Sequence, residues 1–221
     1  MGENALFNVT TGVWNVGVGF KALFNDVDGN QNTGVGYQAL LNNISGDHST
    51  AIGGNALLSN TTGNDNVGVG FQTLSNNTFG SRNTGMGFRR LANNVGANDN
   101  TAIGWNALFI NHTGVANTAI GSRALLDNQT DNNTAVGFSA LASNTTGPEN
   151  VAIGFNALNA NVTTGFSVAV GFQALGGATG GQNTAVGDNA LAVGGICSGL
   201  KAGWCCCRDG TGDAIALERL G

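Results

Sequence analysis

One glycine recurs at an almost constant interval along most of this chain, and it limits the folds that the chain can adopt. The interval is 17 residues, shortened to 16 before Gly137 and Gly187. Repetition at a short, fixed period is the signature of an architecture in which each unit packs mainly on its two neighbours. These marker glycines are Gly19, Gly36, Gly53, Gly70, Gly87, Gly104, Gly121, Gly137, Gly154, Gly171 and Gly187.

The periodicity predicts two regions. Gly2 lies 17 residues before Gly19 and is followed by Asn-Ala-Leu at 4–6, so the chain starts inside a twelfth copy and we expect it to be cut from a longer protein. The pattern fails after residue 191. We therefore assign residues 1–191 to a tandem-repeat region and residues 192–221 to a non-repeat tail.

Each repeat predicts one short strand between two turns. Asn or Ser stands four residues before the marker glycine, where its side chain can bond local backbone at a corner. A β-branched residue, then Gly or Ala, then an apolar residue follow, as in Thr101, Ala102 and Ile103. Such a step favours an extended strand. An Asn-Thr-Thr-Gly loop, as at 60–63, predicts the second corner.

Side chains alternate along a strand, so the pattern predicts one bulky apolar face and one flat Gly/Ala face. We expect the bulky face to form the core, and the flat face, with Ala102 and Ala152, to let copies approach closely. Leu23 and its equivalents stand an even number of residues after the small strand residue, so strict alternation would put them on the flat face. Either the chain bends before the leucine, or the leucine covers a second contact. The predicted core residues are Val18, Val35, Ile52, Val69, Ile103, Ile120, Val136, Ile153, Val170, Val186, Phe20, Phe71, Phe138, Phe155 and Phe172.

A unit this thin cannot bury an apolar face alone, whereas stacked coils align their apolar columns and pair their strands. The sequence therefore predicts an all-β fold, a parallel β-solenoid of about twelve coils of 17 residues. Coils about 4.8 Å apart would form a rod on the order of 55–60 Å long. Glycine in every unit disfavours an α-solenoid.

The composition excludes several classes of function. Only 10% of residues are charged, the net charge is −5, and Lys and Arg form no cluster, so binding to nucleic-acid phosphates is not expected. No run of 18 apolar residues occurs, and neither a membrane span nor a signal peptide is predicted.

Three repeats carry a resemblance to a known family. Asn-Thr-Ala-Ile-Gly-Trp-Asn-Ala-Leu at 100–108, Asn-Thr-Ala-Val-Gly-Phe-Ser-Ala-Leu at 133–141 and Asn-Val-Ala-Ile-Gly-Phe-Asn-Ala-Leu at 150–158 resemble the head repeats of trimeric autotransporter adhesins. They are also similar to repeats of viral and bacteriophage fibre proteins. The resemblance covers about residues 2–191 and implies a left-handed β-roll that assembles as a homotrimer and presents a binding surface. The adhesin heads use a shorter period.

Most residues with reactive side chains have a structural explanation in the repeat. The loop aspartates fit Ca²⁺ binding less well than turn formation, because the Gly-x-Asp pattern of calcium β-rolls is missing. Gly-Val-Gly at 17–19 lacks the Lys-Ser/Thr of a phosphate loop. We expect no enzyme activity, metal or cofactor. The residues weighed are Asp47, Asp65, Asp99, Asp131, His48 and His112.

Glycosylation sequons recur in the second corner, but Asn94 holds the same place without a sequon, so the turn is expected to require the asparagine. The sequons begin at Asn8, Asn43, Asn60, Asn76, Asn111, Asn128, Asn132, Asn144 and Asn161.

The tail contains Cys197, Cys205, Cys206 and Cys207. Three adjacent thiols do not turn readily to one metal, so zinc is not predicted. The tail is expected to be disordered, or to form a short helix over 213–220.

We therefore expect a structural or adhesive shaft of a viral fibre or bacterial surface protein, outside the cell or on a virion. Its expected partners are copies of itself and a surface receptor, glycan or matrix component. The alternative is an ice-binding solenoid, because Thr84, Thr101, Thr118 and Thr134 form a column. Val67 and Val151 interrupt that column, and its parity is that of the predicted core.

Overall fold

The computed structural model describes residues 2–177, 180–191, 206–208 and 214–216. Within these ranges the regular elements are strands of three residues each, one for every marker glycine and two more near the end of the chain. The strands are β1 Val16–Val18, β2 Thr33–Val35, β3 Thr50–Ile52, β4 Val67–Val69, β5 Thr84–Met86, β6 Thr101–Ile103, β7 Thr118–Ile120, β8 Thr134–Val136, β9 Val151–Ile153, β10 Val168–Val170, β11 Thr184–Val186, β12 Cys206–Arg208 and β13 Ala214–Ala216.

Strands β1 to β11 form one parallel sheet in chain order. Each residue pairs with its equivalent in the next coil, as Thr101 pairs with Thr118 and Ile103 with Ile120. Residues 17 apart therefore lie side by side, except at the shortened copies, where Thr118 pairs with Thr134. The prediction of an all-β parallel solenoid with 17-residue coils is confirmed. Its eleven strands make about ten turns rather than twelve, a stack about 48 Å long.

The marker glycine ends each strand because of both its conformation and its surroundings. Gly36 has φ +133°, and a Cβ added to it would lie 2.6 Å from the carbonyl oxygen of Gly53 in the next coil. A side chain here would be strained and would collide with backbone. The chain then turns, and the peptide N–H of Ala39 bonds the carbonyl of Gly36 at 3.5 Å.

The core lies on the face that the sequence predicted to be flat. The strand centres, such as Ala102 and Ala119, are fully buried, and so are Leu108 and Leu125. A Cβ on Gly34 would lie 3.2 Å from Cγ of Leu23, so the leucine of one coil packs directly on the strand centre of the next. The interior of a 17-residue coil has room for leucine on one wall and only Gly or Ala on the other.

The prediction of the core residues is therefore wrong. All of them lie at the first turn or on the outside of the sheet, and the exposed fraction reaches 48% at Phe71 and 50% at Val186. Alternation along a strand specifies which side chains share a face, but the width of the coil decides which face points inward. The corrected positions are Val18, Val35, Ile52, Val69, Ile103, Ile120, Val136, Ile153, Val170, Val186, Phe20, Phe71, Phe138, Phe155 and Phe172.

The chain bends between the strand and the leucine, which is one of the two alternatives that the sequence left open, and the leucine lies inside the coil. Gln38 and Leu40 both have positive φ, 55° and 53°, and turn the chain between the strand and the leucine. A left-handed conformation costs about 1–2 kcal/mol in a residue with a side chain. Complete burial of leucine contributes about 1.5–3 kcal/mol, which offsets the strain at Leu40 itself.

Candidate functional site

Two columns of buried asparagines hold the corners of the coils. In the first, the backbone N–H of Asn32 donates to Oδ1 of Asn15 at 2.8 Å, and Nδ2 of Asn32 donates to the carbonyl of Gly46 at 2.6 Å. Side-chain amides thus replace backbone partners at a sharp turn. The column consists of Asn15, Asn32, Ser49, Asn66, Asn83, Asn100, Asn117, Asn133, Asn150, Ser167 and Asn183.

The second column accounts for most of the sequons. Asn60 Nδ2 donates to Oδ1 of Asn43 at 2.8 Å and to the carbonyl of Gly63 at 2.9 Å, and both asparagines are fully buried. A glycan on Nδ2 would break this ladder, so the structure supports the turn interpretation. The sequon asparagines in this column are Asn43, Asn60, Asn111, Asn128, Asn144 and Asn161. Asn76 and Asn132, by contrast, are exposed.

Asp26 occupies the place of an asparagine at the start of the second column. It is fully buried, its Oδ1 accepts a hydrogen bond from Asn43 Nδ2 at 2.9 Å, and its Oδ2 has no partner. Burial raises the pKa of this carboxyl from 3.8 to about 6, against the opposing effect of the Asn43 hydrogen bond. The ladder therefore holds one ionisable group.

The outside of the sheet is a continuous surface without charge. We define the outer face as the first and third residues of β1 to β11, and every one of them is Val, Thr, Ile or Met. Its most exposed apolar members range from 36% exposed at Ile103 to 50% exposed at Val186. Isolated exposed apolar residues are ordinary, whereas a long contiguous patch marks an interaction surface.

An aromatic column extends this surface at the residue after the marker glycine. Phe155 stacks on Phe138 and Phe172, with ring centroids 5.3 and 5.2 Å apart and planes within 12°. The rings cover one another, so their edges, not their faces, point to solvent. Gly54 and Ser122 interrupt the column.

A groove of about 640 Å³ lies on the surface over the second corner, in the N-terminal coils. One wall carries the outward amides Asn8, Asn25 and Asn42, and the other carries Val27, Ile44 and Thr61. All lining residues are uncharged. The sequence analysis assigned Asn8 only to a sequon and missed this groove, whose signal is the asparagine at the same place in three successive repeats.

Two of the loop carboxylates bond loop backbone, as expected for turn-forming aspartates. Oδ1 of Asp47 accepts from the N–H of Asn30 at 2.7 Å, and Asp131 does the same for Val115 at 2.8 Å. Asp99 pairs with Arg82 at 2.6 Å on the surface. This hydrogen bond lowers the pKa of Asp99.

The two histidines stand apart from one another. Nδ1 of His48 lies 3.7 Å from Oδ1 of Asp65, and Nδ1 of His112 lies 3.1 Å from the carbonyl of Asn93. In the described part of the chain, no three His, Cys, Asp or Glu side chains are grouped so that they could hold a metal ion. The Gly-Val-Gly sequence at 17–19 lies in β1 and the turn after it, so it is part of the repeat, as the sequence analysis expected.

Arg90 is a buried cation that the sequence analysis did not single out. It holds a place that is Ala39 or Ala107 in other coils, is 4% exposed, and has no partner for Nε and Nη1. Desolvation lowers its pKa from 12.5 to about 10. The signal in the sequence is the arginine itself, where the repeat otherwise has a small residue.

Near the end of the chain, β12 and β13 pair antiparallel, with Cys207 opposite Ile215. The prediction of a helix is wrong for Ala214–Ala216, which is a strand containing β-branched Ile215. Cys197 and Cys205 and the predicted disorder of the tail lie outside the described residues. The described residues also contain no helix with the length and apolar character to cross a membrane.

Comparison of the chain with models of protein families, with curated proteins and with solved structures finds no match in any of the three. Inference about function therefore rests on the solenoid and on the chemistry of its surfaces.

Proposed function

We propose that this protein is a non-enzymatic shaft of a fibrous surface protein, in which copies associate through the outer face and present a binding surface. The outer face is the observation that carries the proposal. Its two columns, about 10 Å wide with their side chains and about 48 Å long, give an uncharged stripe of Val, Ile, Met and Thr on the order of 480 Å². The largest patches on ordinary monomers are about 300–600 Å², and the aromatic column enlarges this one further.

The finer features of the proposal are a homotrimer, left-handed coils, and a position outside the cell or on a virion. The resemblance to adhesin heads and viral fibres supports all three. A closed ring of three copies also agrees with the surface, because rotation about an axis parallel to the rods covers every outer face with a neighbour. Surface receptors, glycans and matrix components remain the proposed external partners.

The contact surface differs from the one that the sequence predicted. Ala102 and Ala152 are fully buried inside the coil. They are therefore not available to a second copy, and Ala102→Glu or Ala152→Glu would put a charge into the core rather than test assembly.

Sedimentation equilibrium of the full chain tests the association. We expect a mass three times 22.2 kDa for the natural sequence and a single-chain mass for Ile103→Glu/Ile153→Glu, with unchanged circular dichroism. The matched control is Thr62→Glu/Thr163→Glu, which places the same two charges on exposed loop positions and is expected to remain trimeric. A single-chain mass for the natural sequence overturns the proposal.

Ice binding is a second candidate, favoured by one observation. The Thr column points outward from a flat sheet, with Thr84, Thr101, Thr118 and Thr134 in register in successive strands. The sequence analysis had placed this column on the core face, and its outward position removes that objection. Val67 and Val151 still interrupt the column. An assay of ice recrystallisation at micromolar protein decides it, since inactivity would reject this function.

A further inference from the structure

The groove between the outward amides and Val27, Ile44 and Thr61 has the features of a site for an extended ligand. Its volume, about 640 Å³, is within the range of about 300–1,000 Å³ that ligand pockets occupy. It crosses successive coils, so any contact made in one coil is offered again about 4.8 Å further along the rod. A ligand that uses every coil must itself be a polymer with a short repeat.

The amide wall retains capacity for hydrogen bonds. Nδ2 of Asn8 donates to Oδ1 of Asn25 at 3.1 Å, and Nδ2 of Asn25 donates to Oδ1 of Asn42 at 3.0 Å. Each amide nitrogen has two hydrogens and each amide oxygen two lone pairs, so the ladder uses only half of them. The unused hydrogens and lone pairs of the amides suit a ligand whose groups both donate and accept hydrogen bonds, as hydroxyls do.

The opposite wall fits the apolar surface of the same kind of ligand. Val27 is 37% exposed and Ile44 is 47% exposed. Aliphatic side chains on one wall and amides on the other match a chain whose units have C–H surfaces and hydroxyl edges. The absence of charge from the lining residues gives an ionic polymer no partner for its charges.

We propose that the groove binds a linear, uncharged polysaccharide, with its sugar units in step with the coils. An extended peptide fits less well, because its repeat of about 3.3 Å per residue does not match a coil spacing of about 4.8 Å. The aromatic column is a weaker candidate, since Gly54 and Ser122 interrupt it and the faces of Phe155 are covered by Phe138 and Phe172. The inference rests on the adhesive part of the proposed function and names the class of ligand.

Titration calorimetry of the full-length chain with cellohexaose and maltohexaose, two linear neutral oligosaccharides, tests this proposal. We expect one of them to bind, and a hexamer of galacturonic acid to bind at least about tenfold more weakly. Ile44→Arg, which fills the groove with a charged side chain, should lower the affinity by about tenfold or more.

The matched control is Val162→Arg. Val162 occupies the same place in a later coil, is 46% exposed, and stands two residues after Ala160 instead of an asparagine. Unchanged affinity in this variant supports the groove. Binding of neither neutral oligosaccharide, preferred binding of the charged one, or equal loss in both variants overturns the proposal. Sedimentation of the same samples distinguishes this proposal from the proposed function. A trimer that binds no neutral oligosaccharide would refute the polysaccharide ligand and leave the trimeric shaft intact.

Discussion

The side chain of Leu23 lies against the strand centre at Gly34, where an added Cβ would be 3.2 Å from Cγ of the leucine. The same relationship recurs at Gly68, whose Cβ would be 3.3 Å from Cγ of Leu57. The interior of the solenoid is thus a single file of leucines facing a wall of the smallest residues. Its width is fixed by the number of residues in a coil, and it leaves almost no space for larger side chains.

A larger residue at a strand centre should therefore destabilise the protein although it favours a strand. We expect Ala119→Val to lower the free energy of unfolding by about 1–3 kcal/mol, because overpacking forces neighbours to move. Thr118→Val, one residue earlier on the outer face, should change it by less than about 0.5 kcal/mol. Urea unfolding of both variants at one protein concentration makes the comparison, and equal effects would contradict the assignment of inside and outside.

The repeat, the strands and both corners follow from the sequence, because Asn, Gly and β-branched residues act locally. The identity of the inward face does not. Thr101, Ala102 and Ile103 alternate in the same way whichever side is buried, and hydrophobicity favoured the wrong side. Leu108 was the informative residue, since its position placed a large apolar side chain on the same face as the small Ala102.

The groove was not predicted for a different reason. Asn8 and Asn25 stand one residue before the corner column that contains Asp26, and both positions have the composition of a turn. Only the three-dimensional winding separates an asparagine that points inward from one that points outward.

The second asparagine column should contribute more to stability than the outward asparagines beside it. Asn94 Nδ2 donates to Asn77 Oδ1 at 2.7 Å and to the carbonyl of Ala97 at 3.0 Å. Asn94→Ala leaves Oδ1 of Asn77 unpaired, whereas the carbonyl of Ala97 still accepts from Nδ2 of Asn83 at 2.8 Å. We therefore expect a loss of about 1–3 kcal/mol, the cost of one unsatisfied buried group. Asn93→Ala, at a partly exposed neighbour, should cost less than about 1 kcal/mol, and thermal unfolding of both variants measures the difference.

Asp26 should make stability depend on pH. Its pKa is raised from 3.8 to about 6 in the folded protein, so the folded state holds a proton that the unfolded state releases between these values. Its favourable contribution is complete below pH 3.8 and is lost as the pH rises through about 6. A shift of about two units corresponds to about 3 kcal/mol.

Asp26→Asn is expected to raise the free energy of unfolding at pH 7 by about 1–3 kcal/mol and to flatten its dependence between pH 4 and 7. The asparagine also restores the residue that the other coils have at this place. Asp188→Asn removes an exposed carboxylate in the last coil, far from Asp26, and serves as the control. Urea unfolding at several pH values gives the comparison, and a slope that survives Asp26→Asn would assign the titration to another group.

Arg90 should destabilise the coil that contains it. The guanidinium is 4% exposed with Nε and Nη1 unpartnered, and its place in other coils is held by alanines such as Ala107. Removing a buried charge without a partner relieves its desolvation, so we expect Arg90→Ala to raise the free energy of unfolding by about 1–3 kcal/mol.

The neighbouring Arg89 provides a matched control for this change. It is on the surface, where its Nε donates to Oε1 of Gln72 at 2.9 Å and its guanidinium carbon lies 5.7 Å from the ring centroid of Phe88. Arg89→Ala loses these exposed contacts and should lower stability by about 0.5–1 kcal/mol. Opposite signs for two adjacent arginines, measured by urea unfolding at pH 7, would establish that burial decides the effect. Destabilisation by both would show that the Arg90 guanidinium has a stabilising partner.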